Sequence, residues 1–326
     1  MASILRYGAY LPRPRIPVKE IHSFYGKPGR PRARTLATPA LDEDSLTMAY
    51  EAAAEALGPK GSATTVIAVT QSPPFGMRKM SSTLAEALGL AATPYDVGGH
   101  SGALLDAFNL GAAIVDGGGG DVLVVASDYV VSHDERAADM LSAGAAAAFL
   151  LSTEGCCELG ASARASDEVY DVWRLGLEPE PRYRLEVLSA AYGAAAKGAL
   201  TALEATTGTP TSTYKAVCPS QPHPSVLRAL GRMVSKGALD ATSFVGEIGN
   251  VGSASVGIAL ALGLDSVARK GQKLLALSYG SGEGIAQALE VTNKPRAIGV
   301  ADRLAGTEIS MGTFYRWTRG RQVEPH

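Results

Sequence analysis

Cysteine is scarce in this chain of 326 residues, occurring only at Cys156, Cys157 and Cys218. Two of the three are adjacent, a pair that seldom closes on itself in unstrained backbone, so a disulfide framework is excluded. No zinc-ligand spacing links them to the five histidines, so they read as small buried residues in strands. Charge of one sign is also missing: 30 basic against 32 acidic residues leave a net charge of −2. With no basic tract to follow a phosphate backbone, nucleic acid is not an expected partner. No apolar run reaches the ~18 residues of a membrane span. The opening Met1-Ala2-Ser3-Ile4-Leu5-Arg6 lacks the charged and then apolar regions of a secretory leader. These absences predict a soluble, cytoplasmic protein with no metal.

What is present is an alternation of strand and helix signals. Hydrophobic residues make up 46% and charged ones 19%, a globular composition whose length admits two domains or one duplicated fold. Residues 41–57 place Asp42, Glu43 and Asp44 before a periodic apolar stripe, the pattern of a helix start. Residues 66–70, 94–97 and 121–127 read as strands, and 81–88 and 104–115 as helices. The pattern recurs with helices at 185–206, 224–233 and 252–264 and strands at 215–218 and 273–279. Such alternation implies a largely parallel sheet with helices on its faces. Two similar halves follow, residues 1–160 and 161–326. Residues 167–184 read as an exposed excursion, and 309–315 as an edge strand.

The junction at Tyr95-Asp96-Val97-Gly98-Gly99-His100-Ser101-Gly102-Ala103 carries the strongest functional signal. It reads as the end of a buried strand, a tight turn and the first turn of an Ala/Leu helix. A side chain there sits at a helix N-terminus, whose free N–H groups would lower a thiol's pKa. Gly99 supplies no nucleophile.

Several segments together carry a family resemblance. Ala9-Tyr10-Leu11-Pro12, Arg15-Ile16 and the acidic start at Asp42 precede Gly249-Asn250-Val251-Gly252-Ser253-Ala254-Ser255 and Ser278-Tyr279-Gly280-Ser281-Gly282. In this order they resemble the archaeal-type 3-hydroxy-3-methylglutaryl-CoA (HMG-CoA) synthases and their bacterial relatives. Those belong to the thiolase superfamily, beside the β-ketoacyl-ACP synthases III. The resemblance implies an α/β thiolase fold of five layers, αβαβα, built from two similar halves and normally dimeric. It implies a cysteine that takes the acyl group, a histidine that assists at the thioester and a glutamate that moves a proton.

This chain departs from that pattern at all three expected positions. The cysteine segment resembles Ala-Cys-Lys-Ala-Gly-Thr, and alignment on Gly102 puts Gly99 at the cysteine, while a register shifted by one puts His100 there. The histidine segment, roughly His-Gln-Pro-Asn, matches Ser220-Gln221-Pro222-His223, which follows two residues after Cys218. Gln71 falls at the glutamate, and an amide has no accessible basic site near neutral pH. Asn250 matches an asparagine near the thioester, although it would equally cap the next helix. Gly280-Ser281-Gly282 matches a loop whose N–H groups face the thioester carbonyl, a turn that also needs positive φ in its own right.

Three readings stay open. One is a synthase-like subunit that lacks the acyl-enzyme step and acts with a thiolase and a bridging OB-fold protein, partners that such relatives often have. The second is an enzyme with a rearranged site drawn from His100, Ser101, Ser220, His223 and Cys218. The third is a non-catalytic binder of acyl-CoA or acyl-carrier protein. In each, CoA or a carrier thioester is substrate or ligand rather than a resident cofactor. Arg78, Lys79, Arg182 and Arg184 are candidates to meet a pyrophosphate, and a homodimer is expected from the apolar helix after Gly102.

Overall fold

The computed structural model describes residues 1–130, 136–175, 181–266 and 269–320. The strands of the first half are β1 (Ser3–Tyr10), β2 (Pro14–Pro17), β3 (Thr35–Ala37), β4 (Thr65–Thr70), β5 (Thr93–Gly98), β6 (Val122–Tyr129) and β7 (Gly144–Ser152). Those that follow are β8 (Cys157–Ser166), β9 (Val172–Trp173), β10 (Arg182–Tyr183), β11 (Ala216–Pro219), β12 (Lys273–Gly280), β13 (Glu283–Val291) and β14 (Thr307–Glu308). The helices are α1 (Val18–Phe24), α2 (Ser45–Leu57), α3 (Met80–Ala87), α4 (Ala103–Asp116), α5 (Arg136–Met140) and α6 (Leu185–Thr207). They continue with α7 (Pro224–Leu230), α8 (Lys236–Asp240), α9 (Val245–Ile248), α10 (Ser255–Ser266), α11 (Val300–Arg303) and α12 (Met311–Gly320).

Nine strands hydrogen-bond in the order β11-β12-β13-β8-β1-β7-β6-β4-β5. The β5, β4 and β6 strands are parallel, as are β11 and β12, whereas the pairings β6-β7, β7-β1, β1-β8, β8-β13 and β13-β12 are antiparallel, so the sheet is mixed rather than largely parallel as expected. β1 pairs with β7 along its length but with β8 only at Ser3 and Ile4, so the sheet turns a corner there. The expected division at residue 160 falls inside β8.

The layers follow from which helices are apolar on one side and which on all. In α10 every residue from Ser255 to Leu264 is buried, as a helix covered on all sides requires. It packs with α4 between the two parts of the sheet, touching β1 and β7 on one side and β11 and β12 on the other. α2 and α3 cover the outer face of the first part, and α6 covers that of the second. The result is the expected five-layer α/β thiolase fold. Asp44 caps α2, accepting from the Thr47 N–H at 2.8 Å while Thr47 Oγ1 accepts from the Asp44 N–H at 2.7 Å. That reciprocal pair fixes the helix start read from the acidic run.

Four further expectations are corrected. The strand before Gly99 is not buried: β5 ends the sheet, and Thr93, Tyr95, Asp96 and Gly98 are exposed. Residues 309–315 do not form an edge strand: α12 begins at Met311, Ser310 Oγ accepts the Thr313 N–H at 3.2 Å, and Met311, Phe314 and Thr318 are buried at helical spacing. The excursion at 167–184 is not simply exposed, since Asp171 is buried and β9 and β10 pair as a short antiparallel ribbon. Residues 176–180 of it lie outside the described residues. The apolar stripe after Gly102 is largely internal, with Ala103, Leu104, Ala107 and Phe108 buried within the chain and Leu110 exposed. None of the described helices is long and apolar enough to cross a membrane.

Candidate functional site

A cavity of about 380 Å³ opens where β4, β5 and β6 end and α4 begins. Ligand sites in parallel α/β sheets gather at this end, because loops there diverge to helices on opposite faces. Of the expected site residues, Gln71, Gly99, Ser101 and Asn250 line it. His100, Ser220, His223 and the Gly280-Ser281-Gly282 turn lie outside its lining.

Asp128 organises the floor. It ends the apolar strand β6 and is 1% exposed. Its Oδ1 accepts from Gln71 N at 2.7 Å, Thr70 Oγ1 at 2.8 Å, Ser72 Oγ at 2.9 Å and Ser72 N at 3.1 Å. Its Oδ2 accepts from Ser253 N at 2.7 Å and Gln71 Nε2 at 3.4 Å. A buried carboxylate is tolerated because so many N–H and O–H groups point at it. Through them it holds the Gln71 loop against the turn that carries Asn250. The Oδ1 of Asn250 accepts the Gly252 N–H at 3.0 Å, which orients its amide and begins the next helical turn.

At the Gly99 corner the backbone has φ +98°, a conformation that favours glycine, yet a Cβ there would meet no atom within 4 Å. Ser101 Oγ donates to the Tyr279 carbonyl at 3.0 Å. His100 is engaged on both sides of its ring: Nδ1 accepts the Gly102 N–H at 3.1 Å, and Nε2 lies 3.3 Å from Asp106 Oδ2. An Nδ1 that accepts leaves the ring proton on Nε2, facing the carboxylate. His100, Asp106 and Glu283 bring ligand-type atoms within 4.8 Å of one another. The cation among them is Arg164, 3.3 Å from Asp106 and 3.1 Å from Glu283. Gly280 permits this close meeting of chain segments, since a Cβ would stand 2.7 Å from both His100 Nδ1 and Gly102 N.

The Ser220-Gln221-Pro222-His223 segment is pinned from several directions. Ser220 is 2% exposed, accepts the Tyr279 N–H at 3.0 Å and donates to Tyr192 Oη at 3.3 Å. Gln221 is fully buried, accepting from Phe244 N at 2.9 Å and donating to the Thr242 carbonyl at 2.8 Å. His223 caps α7, its Nδ1 accepting the Ser225 N–H at 3.1 Å. Burial, then the nearby Arg32 and Arg228, push its pKa down to about 4, so the ring stays neutral at physiological pH. The thiol of Cys218 is buried, and that burial pushes its pKa up.

Sequence reasoning missed Asp128, Trp173, Arg174 and Tyr183, which also line the cavity. An acid closing an otherwise apolar strand was the available signal for Asp128. The others sit on or beside the β9-β10 ribbon, within the segment read as exposed. Of the four basic candidates for a pyrophosphate, Arg184 lies over the Trp173 ring, 5.1 Å from its centroid. Lys79 donates to the Pro94 carbonyl at 3.3 Å.

No family model matches the chain. It is 27% identical over 349 aligned positions to the hydroxymethylglutaryl-CoA synthase of Methanocaldococcus jannaschii, covering 94% of this chain and 93% of that one. The corresponding Archaeoglobus fulgidus protein is 26% identical over 317 positions, covering 90% of each chain. A solved HMG-CoA synthase in complex with CoA superposes with a TM-score of 0.87 at 16% identity, covering 97% of this chain and 89% of that one. The HMG synthase of the curacin pathway in complex with acetyl donor-ACP gives 0.86 at 17% identity, covering 98% and 89%. The 3-oxoacyl-(acyl carrier protein) synthase III of Pseudomonas aeruginosa gives 0.80 at 20%, covering 90% and 99%.

Proposed function

We propose that the chain is the HMG-CoA synthase-like subunit of an acyltransferase assembly in the thiolase superfamily, handling acyl thioesters without forming an acyl-enzyme on itself; its support is the likeness to HMG-CoA synthases in sequence and fold. The observation that carries this reading is the content of the cavity. Its floor is polar and hydrogen-bonded around Asp128, yet Gly99 and Gln71 line it at the positions expected for a nucleophile and a base. The alternative of a rearranged His/Ser site has less support. His100 and His223 are both committed to backbone N–H groups, Ser220 is buried, and Ser101 is tied to the Tyr279 carbonyl.

The thioester comes from CoA or from an acyl-carrier protein, the two ligands seen in complexes of its structural neighbours. A second polypeptide, a thiolase joined through an OB-fold protein, supplies the competent cysteine. A homodimer is the minimal unit. Its support is the edge of β5, which ends the sheet among the described residues and where Tyr95 is 43% exposed, a template for a strand of a second copy. Co-expression with a thiolase and an OB-fold protein, followed by size exclusion with light scattering, tests the assembly. The expected result is a hetero-oligomer in which acyl transfer appears. A stable monomer that turns over acyl-CoA alone overturns the proposal.

A further inference from the structure

The serine and threonine hydroxyls that line the cavity have already committed their protons. Thr70 Oγ1 donates to Asp128 and accepts the Ser72 N–H at 3.1 Å, and Ser72 Oγ donates to Asp128 and accepts the Tyr129 N–H at 3.0 Å. Ser101 Oγ donates to the Tyr279 carbonyl. Two side-chain amides in the lining are placed differently. Gln71 Nε2 faces Asp128 Oδ2 at 3.4 Å, and turning that amide over would set Oε1 against a carboxylate, lone pair to lone pair, so Oε1 is directed away from Asp128. Asn250 Oδ1 takes the Gly252 N–H, and the reversed amide would set donor against donor, so Nδ2 is the free end. Neither Gln71 Oε1 nor Asn250 Nδ2 has a hydrogen-bond partner among the described residues, and neither is sealed from solvent. The two amides are neighbours, because the Ser253 N–H that follows the Asn250 turn shares Asp128 Oδ2 with Gln71 Nε2. The cavity therefore holds a fixed acceptor beside a fixed donor.

We infer that Gln71 reads a hydroxyl: its Oε1 accepts from a hydroxyl on the third carbon of the acyl chain while Asn250 Nδ2 donates to the thioester carbonyl, so that a 3-hydroxyacyl thioester is the one taken up. The inference rests on the thioester reading above and adds the class of acyl group. A 3-hydroxyacyl thioester carries the matching acceptor and donor on one short segment. A 3-oxo group in the same place turns its own lone pairs on Oε1, and a plain acyl chain leaves Oε1 unpaired. Because an amide has no accessible basic site, the hydroxyl is held without losing its proton.

Isothermal titration of the full chain with CoA, 3-hydroxybutyryl-CoA, butyryl-CoA and acetoacetyl-CoA tests it. 3-Hydroxybutyryl-CoA is expected to bind roughly fivefold tighter than butyryl-CoA, the scale of one added hydrogen bond, and at least about fivefold tighter than acetoacetyl-CoA. In Gln71→Met, and in Gln71→Leu made against misfolding, both ratios fall toward one. Asn250→Asp, which keeps an oxygen for the Gly252 N–H, weakens all three thioesters relative to CoA by a common factor of roughly five. Equal affinity for 3-hydroxybutyryl- and butyryl-CoA, a preference that both Gln71 variants retain, or unchanged thioester affinity in Asn250→Asp overturns this inference and leaves the thioester reading standing. Failure of CoA and every thioester to bind overturns both.

Discussion

Replacing Asp128 with asparagine tests whether one buried carboxylate holds the cavity floor together. Six donors converge on it, four on Oδ1 and two on Oδ2. An amide can keep one oxygen on the four-donor side, but its NH₂ then opposes the Ser253 N–H, which sits 2.7 Å away in a buried site. Leaving that N–H unpaired costs about 1–3 kcal/mol, and each remaining bond falls from the charge-assisted range of about 1.5–3 kcal/mol to the neutral one near 1. The Thr70 and Ser72 hydroxyls can rotate to soften the change, so a net loss of roughly 3–5 kcal/mol is expected. Urea unfolding followed by circular dichroism reads it as a lowered midpoint at constant slope. Gln71→Ala, which removes only the 3.4 Å contact to Asp128, is expected to lose less than about 1 kcal/mol. A loss below about 1 kcal/mol for Asp128→Asn refutes the assignment of Asp128 as the anchor.

Two further outcomes are expected. His223 titrates near 4 in the folded protein against an ordinary value near 6.5, so the unfolded chain takes up the proton first. Stability is therefore complete above pH ~6.5 and falls as pH drops toward ~4; His223→Asn, which keeps a capping acceptor, flattens that limb in urea titrations at several pH values. Gly99→Cys places a thiol in open space at the start of α4, at a backbone cost of about 1–2 kcal/mol for its positive φ. This variant is expected to gain a mass adduct from acetyl-CoA, and its absence would show that the cavity does not bring a thioester to this corner.

Much of the fold was legible because its signals are local. The strand at Val66 and the helix start at Asp44 each announce themselves within a few residues, by an apolar run and by a cap. α12 was misread because Ile309, Phe314 and Tyr315 favour strands in isolation. Its Ser310 cap and the Met311-Phe314 spacing were the stronger signal. The candidate site was legible only in part. Gly99, Gln71, Ser101 and Asn250 were found because each lies in a segment with a recognisable pattern, and the fold brings these four to one cavity. Ser220 and His223 lie in such a segment too, but the requirements of the Tyr279 N–H and of the α7 N-terminus hold them elsewhere. Trp173 and Tyr183 were hidden because pairing in a short ribbon anchored by Asp171 is a long-range event with no local signature.

The central claim is that this chain handles acyl thioesters but does not itself carry the acyl group. Acid-quenched intact-mass spectrometry after incubation with acetyl-CoA and 3-hydroxybutyryl-CoA measures that directly, for the chain alone and within the complete assembly. The account predicts an unmodified mass for this chain in both cases, with the adduct on the thiolase subunit. A stoichiometric adduct on Ser101 or Cys218 of this chain would contradict it.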